Sequence, residues 1–147
     1  MGCSGWNYGD SFGNSGWVGS FYPNATTRRL TYYAKVFNSA EFDAIFYEEF
    51  YSKMAQATFF GMVKATPNNF QFSVKVPEVI MDDKRLDPNS GALADFEEYL
   101  EKIAPLRHEN KLGALLIQMP PSFSVKDFRH IEKFLDFIAE VRLCLRI

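Results

Sequence analysis

Histidine and cysteine are scarce in this chain of 147 residues, with two of each. His108 and His130 are too few for a zinc cluster, which gathers several His, Cys or carboxylate ligands at one centre, so no metal is expected. Cys3 and Cys144 lie near opposite ends. They make no disulfide framework and read as reduced thiols of a cytoplasmic protein. Neither has a Cys-His-Asp arrangement around it. A positive excess is missing too: 16 Lys and Arg stand against 18 Asp and Glu, a net charge of −2. That removes the electrostatic argument for a nucleic-acid or anionic-membrane partner, although it still allows a local basic groove. No apolar run approaches the ~20 residues of a bilayer span. The opening "MGCSGWNYGD" has neither the basic region nor the apolar stretch of a signal peptide. The sequon Asn24-Ala-Thr26 therefore has no expected use. "GNSG" and "GWVGS" carry no phosphate-binding signature, and no cofactor is expected.

Aromatic residues are plentiful, at 16% of the chain with fifteen Phe. With 47% hydrophobic residues this composition argues for one folded domain with one core. Residues 2–23 hold both tryptophans, Trp6 and Trp17, among six of the nine glycines. Rigid rings on a glycine-rich segment suggest a loop that folds close to something flat. Further on, Leu30, Tyr33, Ala34 and Phe37 repeat at helical spacing. Residues 39–47 alternate as a strand, with Ala40, Phe42, Ala44 and Phe46 opposite Glu41, Asp43, Ile45 and Tyr47. Residues 54–65 read as a helix ending before Thr66-Pro67. "FQFSVKV", residues 70–76, alternates strictly, with Phe70, Phe72, Val74 and Val76 on one face. Ser90 is placed to cap a helix carrying Leu93, Phe96, Leu100 and Ile103. "LGALLIQM", residues 112–119, reads as a buried strand, Ser124 and Asp127 as a capping box, and the closing "VRLCLRI" as a fifth strand.

With "GCSGW" as the first strand, strands and helices alternate, which implies parallel strands with right-handed crossovers. A doubly wound sheet would have strands apolar on both faces. Here Glu41, Asp43, Ser73 and Lys75 give the second and third strands a polar face. A TIM-type (β/α)8 barrel has such a face, toward a lumen that opens at the strand C-terminal ends. The α/β fold expected is therefore an incomplete barrel of about five parallel strands and four helices, a single domain over residues 1–147.

The stretches "GCSGWNY", "GSFYP", "EFDAIFY", "FQFSVKVP", "KRL" and "LLIQMPPSF" run in this order along nearly the whole chain. In them the sequence resembles the YecE-like family, domain of unknown function 72. The resemblance implies a TIM-type barrel of roughly twice this length, of which this chain looks like the N-terminal portion, truncated after the fifth strand. "VIMDD" departs from the Thr-His pair the family often carries after its third strand. "CLRI" ends the chain where the family carries a Glu and an Arg. A truncation or reading-frame change near residue 143 would account for the ending.

Barrel enzymes work at the C-terminal strand ends. The catalytic candidates there are Glu41, Asp43 and Lys75, since a carboxylate beside an ammonium can hold a base or an anionic substrate. Ser4, Trp6, Tyr8, Trp17, Tyr47 and Gln118 are candidates for substrate binding, the aromatic rings by stacking. The same ion pair read structurally is two lumen charges satisfying each other. The aromatics read structurally are a satellite cluster under a loop. Three functions stay open: acid–base chemistry on a small polar or nucleotide-like substrate, a nucleic-acid-binding or nuclease-like barrel, and an inactive truncated fragment. Open sheet edges would favour self-association.

Overall fold

A computed structural model describes residues 1–7 and 16–140. Three strands pair in sequence order into one parallel sheet: β1 (Ser39–Phe42), β2 (Gln71–Lys75) and β3 (Leu112–Leu116). Ala40 pairs with Phe72 and Phe42 with Val74, so the apolar positions of β1 and β2 share one face. The helices lie against that face. They are α1 (Arg29–Tyr33), α2 (Glu48–Tyr51), α3 (Gln56–Ala65), α4 (Ala92–Lys102), α5 (Ala104–His108) and α6 (Phe128–Glu140). Between them Phe42, Phe59, Phe70, Phe72, Val74, Phe96 and Phe134 form a continuous buried core.

Five strands were expected and the described residues hold three. The first segment contributes a single parallel bridge, Ser4 to Glu41, with Gly5 N–H donating to Glu41 O and Glu41 N–H donating to Cys3 O. It approaches β1 so closely that a Cβ at Gly2 would fall on the Ser39 carbonyl. The expected fifth strand, residues 141–147, lies outside the described residues. β1 is shorter than the alternation suggested. After Phe42 the chain tightens into a 3₁₀ turn at Ala44–Phe46, which buries Ile45 completely. Ile45 thus leaves the polar face on which period-2 spacing had put it. β3 is not a buried strand: Ala114 and Leu116 are exposed, and among the described residues no strand pairs with its outer side.

Among the described residues six helices replace the four expected: α2 falls where no helix was expected, and the helix expected from Ser90 through Ile103 ends at Lys102, with α5 following it. Residues 54–65 begin only at Gln56, after the separate turn of α2, and end at Thr66, which is extended ahead of Pro67. The Ser90 cap also moves. Asp87 accepts from Asn89 N–H and opens a 3₁₀ turn at Pro88–Ser90, and α4 then starts from Gly91 at φ 81°. That left-handed backbone favours glycine. Asp127, the acid of the expected capping box, has its side chain outside the description.

The C-terminus of α3 is closed by a residue from far along the chain. Lys111 is buried, and its ammonium donates to Val63 O at 2.8 Å, Thr66 O at 2.7 Å and Thr66 Oγ1 at 2.9 Å. A cation at the negative end of the helix dipole is favourable. Burial still pushes the ammonium below its ordinary value, with Glu109 pulling the other way.

Candidate functional site

The sheet face away from the core carries the charged strand residues. Glu41 sits beside Ser73 in register, and Lys75 lies two residues further along β2 on the same face. Lys75 Nζ is 3.8 Å from Glu41 Oε1, and each side chain keeps about a quarter of its surface exposed (21% and 28%). The ammonium also stands 5.6 Å above the Phe46 ring, a cation–π contact. The 3₁₀ turn after β1 presents that ring, and the sequence reading missed it because Phe46 fell on the apolar side of the alternation.

Asp43 follows the last residue of β1, where the strand has already ended. Its Oδ2 accepts from Ser4 Oγ at 3.5 Å, a bond between the first segment and β1. Ser4 and Asp43 are therefore brought together, as are Glu41 and Lys75. Trp6 lies beside them. Its ring contacts Phe42 at 5.4 Å and Phe72 at 5.9 Å, so one side rests on the core. With Gly5, Asn7, Phe42, Asp43, Ala44 and Phe50 it lines an open cleft of about 370 Å³. Phe50, half-exposed within the acidic stretch "YEEFY", was not among the expected residues.

Trp17 is placed elsewhere. It stacks on Tyr33, with ring centroids 6.4 Å apart and planes 9° from parallel, and meets Phe21 and Tyr22 edge-on or tilted. It is part of an aromatic cluster over α1. Tyr22 fixes that cluster to the first segment by donating to the Trp6 carbonyl. Burial raises the Tyr22 phenol to about 12, against the pull of Arg29. The Tyr33 phenol is pushed up by burial and by the Cys3 thiol, whose Sγ lies 3.2 Å from its oxygen. Tyr47 is exposed at the start of α2, its ring 5.4 Å from Phe46. Gln118 is exposed beyond the end of β3. Tyr8 lies outside the described residues.

Two loops at the same strand ends hold further residues that local pattern did not single out. Glu78, just after β2, accepts from the Glu48 N–H at 2.8 Å and so caps α2 from thirty residues away. Arg85 joins the loop after β2 to the loop after β3. It donates to Ser122 O at 2.9 Å and to Ser122 Oγ at 3.2 Å, and it lies over the Phe123 ring. Both Arg85 and Leu86 adopt positive φ, 49° and 58°. Asp82 in the π-helical turn between them and β2 has its carboxyl pushed up, by burial first and then by Glu78 and Asp83. Among the described residues no three His, Cys, Asp or Glu converge on a point that could hold a metal ion. None of the described helices is long and apolar enough to cross a membrane.

The family model described as "Protein of unknown function DUF72" matches residues 1–146. The chain belongs to the DUF72 family. It is 32% identical over 119 residues to the UPF0759 protein YunF of Bacillus subtilis, covering 78% of this chain and 41% of YunF. A DUF72 protein of Thermotoga maritima, solved by crystallography, superposes with a TM-score of 0.64 at 30% identity, over 92% of this chain and 52% of that one. One of Enterococcus faecalis gives 0.61 at 21% identity, over 93% of this chain and 46% of that one, a likeness of fold. The chain thus spans about half the length of these DUF72 relatives.

Proposed function

We propose that the polar sheet face and the strand ends next to it form one wall of an active site for a small polar or nucleotide-like molecule. Glu41 is the acid–base group. Lys75 binds a negatively charged substrate group. Asp43 and Ser4 supply hydrogen bonds at the cleft mouth, and Trp6 offers the outer part of its ring for stacking. The observation that carries this reading is the Glu41–Lys75 pair itself. It stands at 3.8 Å on the sheet face away from the core, where both side chains keep about a quarter of their surface exposed. The nucleotide-like option draws on the cleft, which sets a carboxylate and an amide beside Trp6 and Phe50.

The test is a thermal-shift and calorimetric screen of nucleotides, sugars and hydroxy acids against the full chain, Glu41→Gln and Lys75→Met. A ligand that binds the parent and loses affinity about tenfold or more with both variants, at unchanged fold, supports the reading. Equal binding by all three chains overturns it.

We further propose self-association through the outer edge of β3. Among the described residues no strand pairs with that edge; an open edge recruits another strand, and Leu116 on β3 is 38% exposed. Sedimentation velocity should show a mass that grows with concentration. A monomer at all concentrations rejects the idea.

A further inference from the structure

Away from the strand ends, α1 and α3 enclose a second groove, of about 490 Å³. Arg28, Arg29, Leu30 and Thr31 form one wall; Gly61, Lys64 and Ala65 form the other. Residues 11–40 and 50–77, which supply both walls, contain no Asp or Glu at all. The chain as a whole is slightly acidic, so this is a local concentration of positive charge. Among the described residues neither Arg28 nor Lys64 has a carboxylate partner.

We infer that this groove binds a small phosphorylated molecule, with its phosphate or pyrophosphate held by Arg28, Arg29 and Lys64. Three like charges around one hollow repel each other, and a multivalent anion reverses the sign of that interaction. Arg29 is set in advance for the task. Its Nη1 donates to Asn7 Oδ1 at 2.9 Å, and its guanidinium lies 5.8 Å from the Tyr22 ring centroid. A guanidinium fixed in this way presents its remaining donors in a rigid fork that matches phosphate oxygens. Thr31 adds a hydroxyl to the wall, and Gly61 leaves open space opposite it.

Size and charge favour a small ligand over a nucleic-acid strand. The volume falls in the ~300–1,000 Å³ range of small-molecule sites. Three cations suit one phosphate or pyrophosphate, whereas strand binders typically neutralise about six to ten phosphates.

The experiment titrates the full chain with pyrophosphate, with inorganic phosphate and with a single-stranded oligonucleotide, by calorimetry and by amide chemical shifts. Saturable pyrophosphate binding that moves the amides of residues 28–31 and 61–65 is expected. It should weaken about tenfold or more in Arg28→Gln/Lys64→Gln and fade with added salt. Lys126→Glu, an exposed change of charge far along the chain, should leave it intact. The shift map needs no variant, so a misfolded double variant would not shelter the inference. Pyrophosphate shifts confined to other residues, no binding at millimolar concentration, or binding of the oligonucleotide alone would each overturn it.

Discussion

The two faces of the sheet obey the same alternation and have opposite fates. On one, Phe42, Phe72 and Val74 are sealed under helices and hardly touch solvent. On the other, Glu41, Ser73 and Lys75 stay half-buried, and the charges answer each other across the strands. The first face concentrates the stability of the fold, because burial of large apolar groups is the dominant favourable term. The second contributes little to stability, because a partly exposed ion pair is worth at most about 1 kcal/mol.

Alkali should break this division most completely, because it charges the core. Tyr22, Tyr33, Tyr51 and Tyr99 all have phenols pushed up by burial, with help from Glu98 and Asp95 at Tyr51 and from Tyr51 at Tyr99. Unfolded chains release these protons near pH ~10, while the folded chain retains them to higher pH. Their contribution is therefore complete below pH ~10 and is lost as the pH rises through the folded-state values. Lys111 runs the opposite way: its lowered value lets stability grow as pH approaches ~10.5, but one group is set against four. Circular dichroism and phenolate absorbance followed together should lose structure and ionise in one transition. Phenolate formed without loss of structure would contradict the burial of these rings.

Phe72→Ala attacks the covered face alone. It removes a fully buried ring and should cost about 3–5 kcal/mol by urea unfolding. Ser73→Ala, its neighbour on the other face, should stay within about 0.5 kcal/mol. Similar costs for the two would erase the comparison. Lys111→Met should fall between them, at about 1–3 kcal/mol, since it strips the donor from three acceptors at the end of α3. The smallest effect belongs to the ion pair. Glu41→Gln should change stability by at most about 1 kcal/mol, and by less in high salt. A loss of several kcal/mol would make Glu41 a structural residue.

Much of this division was legible in the sequence. The strict alternation of residues 70–76 told β2 and its faces, because side chains on a strand repeat every two residues. In residues 39–47 the same signal ran past the point where the backbone turned. Ala44, Ile45 and Phe46 keep alternating with their neighbours, yet they form a 3₁₀ turn, and hydropathy spacing does not encode φ and ψ. The first strand was read from five residues, of which Ser4 alone pairs. Ser90 caps nothing because Asp87 and Pro88 set a 3₁₀ turn through it, and α4 starts one residue later from Gly91. At the candidate site the sequence indicated Glu41, Asp43, Lys75, Ser4 and Trp6 as neighbours at the strand ends. It separated Trp17 from its packing on Tyr33 by nothing local, and it was silent on Phe46, Phe50, Glu78 and Arg85. Those contacts join segments whose meeting is decided by the tertiary fold.

The seating of Lys111 also has a consequence in time. The carbonyls at the end of α3 wait for a donor that lies 45 residues further along the chain. As the polypeptide leaves the ribosome at ~5–20 residues per second, that helix end stays open to water for several seconds. The turn is locked only when β3 arrives and brings its leading lysine beneath it. Contacts of such sequence separation slow the search for the native state. Docking of β3 and completion of α3 should accordingly be one late event in the life of the nascent chain, with everything before it reversible.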